Sequence, residues 1–146
     1  MSSKKTLPPY KGQCLCGSIK YEVDQINEKM AHCHCTMCRK FHGSAFSTFG
    51  EARVEDFHLL QGQELITTYL ASNGTKRQFC KKCGSSLFFM PSNDAGKLIE
   101  FSLGTLDSDI EQEPDAHIYM KNCVKWNKVN DYIPQYLEGR NSPFAT

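Results

Sequence analysis

Seven of the eight cysteines in this 146-residue chain stand within chelating distance of a neighbour. Cys33, Cys35 and Cys38 crowd into Cys33-His34-Cys35-Thr36-Met37-Cys38. Cys14-Leu15-Cys16 precedes this stretch and Cys80-Lys81-Lys82-Cys83 follows it. Closely spaced thiols suit a metal ion, whereas a disulfide framework tends to spread its cysteines along the chain. The two outlying pairs together offer four thiolates, the donor set of a closed, structural zinc site. The central stretch offers three and leaves a fourth coordination position open, which is the general plan of a catalytic zinc. A zinc ion held by three thiolates is a weak Lewis acid. It is better suited to aligning a soft incoming thiolate than to making hydroxide from water.

Other assignments of the central stretch stay open on the residues alone. Cys123 could supply a fourth ligand and close the site, or simply be a small buried apolar residue. His32 or His34 could ligate. The three cysteines could also act without metal, through one reactive thiol. Arg39, Lys40 and His42 follow the stretch, and Arg77, Lys81 and Lys82 surround the last pair. Positive charge there would lower thiol pKa values and attract a substrate carboxylate, although lysines on a surface turn serve equally as solvated residues.

The elements that must position these thiols read as mainly β. Residues 18–23 alternate polar and apolar, with Ile19, Tyr21 and Val23 on one face. Further strands are expected over 45–49, 64–70, 75–80, 85–90, 98–103 and 116–120, with a polar loop over 24–29 and an ambiguous charged stretch over 51–56. Asn73-Gly74 predicts a two-residue hairpin turn. Gly12 and Gly17 would let the first cysteine pair curl around an ion, and Gly84 would permit a left-handed backbone after the second pair. No long 3.6-residue periodicity occurs, so helix is limited to short turns. No internal repeat, low-complexity segment or domain boundary is evident. The organisation expected is an N-terminal tail over 1–11 and a single domain over 12–146.

Bulk properties exclude several classes. A hydrophobic fraction of 40% and a charged fraction of 23% are those of a globular chain able to bury a core. A net charge of +1 gives no electrostatic reason to expect binding to nucleic acid or to an acidic membrane. The N-terminal lysines precede no apolar run, and no stretch approaches the roughly 18 apolar residues of a membrane span. A cytoplasmic location is expected, with reduced thiols.

The order and spacing of these motifs resemble the family of glutathione-dependent formaldehyde-activating enzymes, which also includes centromere protein V. The likeness runs through Gly12-Gln13-Cys14-Leu15-Cys16-Gly17-Ser18-Ile19-Lys20-Tyr21, His32 to Lys40, Gly43, and Arg77-Gln78-Phe79-Cys80-Lys81-Lys82-Cys83-Gly84. It continues in Gly104-Thr105-Leu106-Asp107, Pro114, His117-Ile118, Lys121 and Trp126. The resemblance implies a β-tent fold of small antiparallel sheets, like the zinc domain of a small Rab exchange factor. It implies a structural zinc on Cys14, Cys16, Cys80 and Cys83 and a labile catalytic zinc on Cys33, Cys35 and Cys38. The activity implied is that of a carbon–sulfur lyase adding a thiol such as glutathione to a small aldehyde, formaldehyde in the named reaction, or catalysing the reverse. Arg39, His117, Lys121 and Trp126 are the candidate substrate contacts, with Trp126 equally open to a packing role. A zinc-stabilised interaction module without turnover is the alternative, since a module needs only the four-cysteine site.

Overall fold

A computed structural model describes residues 7–145 of the chain. Residues 1–6 of the expected tail lie outside the described residues, as does Thr146. The chain forms two compact units interleaved in sequence. The first takes the chain up to Glu28 together with Gly50–Gln112, and the second takes Lys29–Phe49 together with the chain from Glu113 onward.

The first unit holds a three-stranded sheet of β1 (Tyr10–Gln13), β2 (Lys20–Val23) and β5 (Phe57–Gln61), in the order β1-β2-β5. Both pairings are antiparallel. It also holds an antiparallel meander of β6 (Ile66–Leu70), β7 (Lys76–Cys80), β8 (Ser86–Met90) and β9 (Leu98–Ser102). The alternation in β2 buries Tyr21 and Val23, while Leu87, Phe88 and Phe89 of β8 are buried consecutively. The core centres on the Tyr21 ring. It stacks on Phe57 at 5.4 Å between centroids and meets Phe88 edge-on at 5.3 Å, geometries that add to the stabilisation from burial alone. Its hydroxyl lies 2.8 Å from Thr105 Oγ1, which itself donates to the Ser102 carbonyl. The Thr105 hydroxyl proton is therefore committed, and Tyr21 is the donor in the pair.

The second unit contains β3 (Ala31–Cys33), which pairs antiparallel with residues 47–49 of β4 (Ser47–Arg53) and parallel with β10 (Ala116–Ile118). A seven-residue helix, α1 (Thr36–His42), follows β3 and ends at Gly43 in the left-handed region, φ 60°. From Glu113 on, the unit is mostly turns and isolated bridges, held in part by Arg140. That side chain donates to the Met30 carbonyl at 2.9 Å and to Asp115 at 2.6 Å.

The mainly β reading corresponds to this architecture, with several differences of detail. The expected tail reaches too far, because Tyr10 and Lys11 belong to β1 and pair with Val23 and Glu22. Gly12 does not curl the first cysteine pair. It lies in β1, where a Cβ would overlap the Tyr21 ring. The curl belongs to Gly17, whose φ is 77° and whose N–H donates to the Cys14 carbonyl. The β6–β7 hairpin turns through Ala71–Thr75 rather than two residues. Gly74 N–H donates to the Ala71 carbonyl, and Gly74 itself takes the left-handed position, φ 87°. A left-handed glycine after a turn is a bulge-type closure, one residue longer than an Asn-Gly turn. The strands β1, β3 and β5 and the helix α1 were not anticipated, each being too short for its hydrophobic period to register. Among the described residues no helix is long and apolar enough to cross a membrane.

Candidate metal centres

The first unit brings the sulfurs of Cys14, Cys16, Cys80 and Cys83 to within 4.8 Å of one another. Cys14 and Cys16 flank the turn after β1, Cys80 ends β7, and Cys83 stands one tight turn later. In that turn Gly84 takes φ 80° and donates its N–H to the Cys80 carbonyl at 2.8 Å. The sulfur separations are 3.5 Å for Cys14–Cys16 and 3.9 Å for Cys16–Cys80. Zn–S bonds of about 2.3 Å in a tetrahedron require sulfur–sulfur edges of about 3.8 Å, so the spacing fits a zinc ion. It is far too long for a disulfide, whose sulfurs lie about 2.05 Å apart.

Hydrogen bonding at this site favours thiolates. The Ile19 N–H donates to Cys14 Sγ at 3.3 Å and the Cys83 N–H to Cys80 Sγ at 3.4 Å. Ser85 Oγ accepts from the Leu15 N–H at 2.8 Å and lies 3.2 Å from Cys83 Sγ, tying the two cysteine turns together. Burial pulls the Cys83 thiol upward. The Ser85 hydroxyl and nearby backbone N–H groups outweigh it, leaving the pKa at about 5. The Ser18 hydroxyl and N–H lower Cys16 in the same way, whereas burial pushes Cys80 up to about 11.

The second unit holds a separate group, Cys33, Cys35 and Cys38, again with all sulfurs within 4.8 Å. Cys33 ends β3, Cys35 caps α1, and Cys38 lies in its first turn, donating its N–H to Cys35 Sγ at 3.3 Å. Strand end, cap and first turn converge the three side chains. Cys33 and Cys38 are buried and Cys35 is half-buried. The sulfurs of Cys35 and Cys38, reinforced by burial, push the Cys33 thiol far above its usual range. Three thiols this close cannot all ionise without a cation to offset them, so the donor set fits a divalent metal. Neither His32, His34 nor Cys123 joins the group, and Cys123 is exposed rather than a buried packing residue.

The neighbourhood of the three thiols is rich in imidazole. His34 and His117 are buried, at 1% and 2% exposure. His34 Nε2 lies 2.9 Å from His117 Nδ1, and His117 Nε2 lies 2.9 and 3.2 Å from the two Asp131 carboxylate oxygens. The His32 ring stacks on His117 at 4.7 Å, its Nδ1 2.7 Å from Thr48 Oγ1. Phe46 packs against His32 and His34 at 4.9 and 4.8 Å. Burial, then the neighbouring His117, lowers both His32 and His34, the latter to about 4. Tyr119 follows the Ile118–Cys33 pairing with an unusual left-handed backbone, φ 58°. Burial and then the adjacent thiols raise its phenol.

Among the other residues singled out in the sequence, Arg39 extends from α1 to the Asn122 carbonyl at 3.2 Å. Lys121 is half-exposed and 3.5 Å from Glu138. Trp126 is 74% exposed, so it does not pack in a core. Asp131, Tyr119 and Phe46 were not identifiable as site residues from spacing. Asp131 is 14 residues from His117, inside a stretch with no motif around it.

The profile of the family described as glutathione-dependent formaldehyde-activating enzyme matches residues 9–122. The chain is similar to a Schizosaccharomyces pombe protein named "Uncharacterized lyase", 32% identical over 87 residues, 60% of this chain and 61% of that protein. The match thus spans about three fifths of that relative's length. It is also similar to a Halomonas elongata protein named "Putative glutathione-dependent formaldehyde-activating enzyme". That identity is 24% over 125 residues, 81% of this chain and 79% of that protein. In fold it resembles a crystal structure of a Rhodobacter sphaeroides protein, with a TM-score of 0.59 and 24% identity over 69% of this chain and 91% of the other. With both of its cysteine groups inside the matched span, the chain belongs to the glutathione-dependent formaldehyde-activating enzyme family.

Proposed function

We propose that the chain is a zinc-dependent carbon–sulfur lyase that joins a thiol such as glutathione to a small aldehyde such as formaldehyde, or catalyses the reverse. The observation that carries this reading is the second sulfur group. Three donors, Cys33, Cys35 and Cys38, stand apart from the four that make a complete tetrahedral set. An interaction module would need only the four-sulfur site, which in this reading is structural and holds zinc on Cys14, Cys16, Cys80 and Cys83. Zinc bound by the three-thiol group would supply positive charge that keeps an incoming sulfur ionised.

The chain's own residues then bind and orient. Arg39, Lys121 and Trp126 offer a guanidinium, an ammonium and an indole face to a peptide-like thiol, while His117 acts from within the buried imidazole group. In the addition, the sulfur lone pair forms the C–S bond, the carbonyl π pair moves to oxygen, and the thiol proton ends on that oxygen. The product is an S-hydroxymethyl thioether. The fuller reading is a single β-tent domain that includes β1, acting in the cytoplasm on small molecules and not on nucleic acid or membrane.

The test is exchange spectroscopy of ¹³C-formaldehyde with glutathione, using protein shown by native mass spectrometry to carry two zinc ions. Accelerated exchange that disappears in Cys35→Ser is expected. No acceleration by the two-zinc protein with any of a panel of thiol–aldehyde pairs would defeat the reading.

A further inference from the structure

The meander of the first unit ends on an open strand. β7 pairs along the whole of β6, from Ile66 with Cys80 to Leu70 with Lys76, without a bulge. Among the described residues no strand pairs with the other side of β6. The bonds at its two ends fix which way each backbone group points. Ala71 donates its N–H to the Thr75 carbonyl, and the Leu65 carbonyl accepts from the Lys81 N–H. Antiparallel ladders alternate bonded and non-bonded pairs, so Thr67 and Tyr69 also turn their backbone groups to β7. Ile66, Thr68 and Leu70 turn theirs away. The Ile66 N–H is bonded to the Gln63 carbonyl. The Ile66 carbonyl and both backbone groups of Thr68 and Leu70 therefore form an outward row.

Such an edge is normally blunted by charged side chains, proline or a bulge. Ile66-Thr67-Thr68-Tyr69-Leu70 has no Lys, Arg, Asp, Glu or Pro. The other outer strands of the unit are managed differently. The Lys11 carbonyl of β1 accepts from the Asp107 and Ser108 N–H groups, and the Lys11 N–H donates to Ser108 Oγ. β5 carries His58, paired with Asp24, and its ladder with β2 is bulged between Lys20 and Tyr21.

We propose that β6 is a self-association surface, on which β6 of a second copy of this chain pairs antiparallel about a two-fold axis at Thr68. Charge complementarity selects that occupant. In this register the Thr68 N–H and carbonyl meet the carbonyl and N–H of the same residue in the other copy, and the Leu70 N–H meets the Ile66 carbonyl. Every outward donor thus falls on an outward acceptor. No ionised side chain of the strand faces a like one, and a net charge of +1 sets up little repulsion between copies. The side chains are complementary as well. Ile66 stands opposite Leu70, Thr67 opposite Tyr69 and Thr68 opposite its own counterpart, pairs of the kinds that stabilise sheets. Tyr69 and Leu70, 58% and 64% exposed, gain cover. A two-fold pairing uses the same edge on both copies and closes at a dimer. Five residues a side fall well short of the about 20–30 of a standard stable interface, so the association is reversible and set by concentration.

Sedimentation equilibrium of the zinc-supplied full chain, from micromolar to millimolar concentration, tests this together with a charge swap at the two-fold position. The native chain should pass from monomer to dimer across that range. Thr68 is exposed, so Thr68→Lys and Thr68→Glu should fold, and circular dichroism checks that they do. Each variant alone sets like charges opposite one another and should stay monomeric where the native chain is dimeric. An equal mixture of the two should dimerise again. A native chain that stays monomeric throughout would overturn the proposal, as would variants that each dimerise like the native chain. Amide hydrogen exchange of the unaltered chain gives a second reading that needs no variant. Protection of the Thr68 and Leu70 N–H groups should rise with protein concentration. Protection already complete in the monomer would mean that another segment of the chain covers the edge, and no rise as the dimer forms would place the contact on another face. Either result would overturn the proposal.

Discussion

Replacing Cys83 by serine should destabilise the protein far more than replacing Cys35, because the two metal groups close loops of very different length. Cys16 and Cys80 are 64 residues apart, and an ion joining them restricts the unfolded chain much as a crosslink would. The chain-entropy relation gives about 4 kcal/mol for a loop of that length, comparable with the whole stability of a small domain. The second group spans six consecutive residues, for which the same relation gives about 2 kcal/mol. For a chain of this size each kcal/mol moves the thermal midpoint by about 3 °C. The expected shifts are therefore about 12 °C for Cys83→Ser and about 6 °C for Cys35→Ser. Cys83 and Cys35 are both half-buried, so losses of packing are matched and the difference reports on the loops. Differential scanning calorimetry of the two variants at equal supplied zinc measures it, with bound metal counted in parallel. Equal shifts, or a larger one for Cys35→Ser, would refute the assignment of a structural role to the four-sulfur group.

Two further outcomes follow from the packing and the surface charges. Gly12→Ala should cost about 1–3 kcal/mol or more, as overpacking does, because its Cβ would overlap the buried Tyr21 ring; urea denaturation measures this, and an unchanged midpoint would contradict the packing. His58 should titrate above its ordinary pKa, because it donates to Asp24 at 2.7 Å. The sign of the linkage is that this contact stabilises below the unfolded pKa of about 6.5 and is lost as pH rises through the folded value. NMR titration should show Asp24→Asn lowering the His58 pKa, and no change would remove the ion pair from the account.

Much of the metal chemistry was legible in the sequence because it is local. Cys80 and Cys83 are brought together by one tight turn, and Cys35 and Cys38 by the first turn of α1. Such proximity depends on a few dihedral angles that nearby residues dictate. The strongly alternating strands were legible for the same reason. The short elements were not. β3 has three residues and α1 has seven, so neither completes enough of its period to stand out. β3 is held by pairing with residues 47–49 and with β10, and α1 by its caps at Cys35 and Gly43, not by their own patterns.

What the sequence determined by itself was the inventory of donors: four thiolates in two pairs, three in one cluster, and the family to which that order belongs. Tertiary structure decided the surroundings. His34 meets His117 across 83 residues of chain, and Asp131 completes their line from a segment without a motif. The Tyr21 ring, rather than the cysteine turn, explains Gly12. The physical reason is the same in each case. Chelate spacing is a property of adjacent backbone, whereas the hydrogen bonds that join buried rings and the contacts that forbid a Cβ exist only after distant strands have paired.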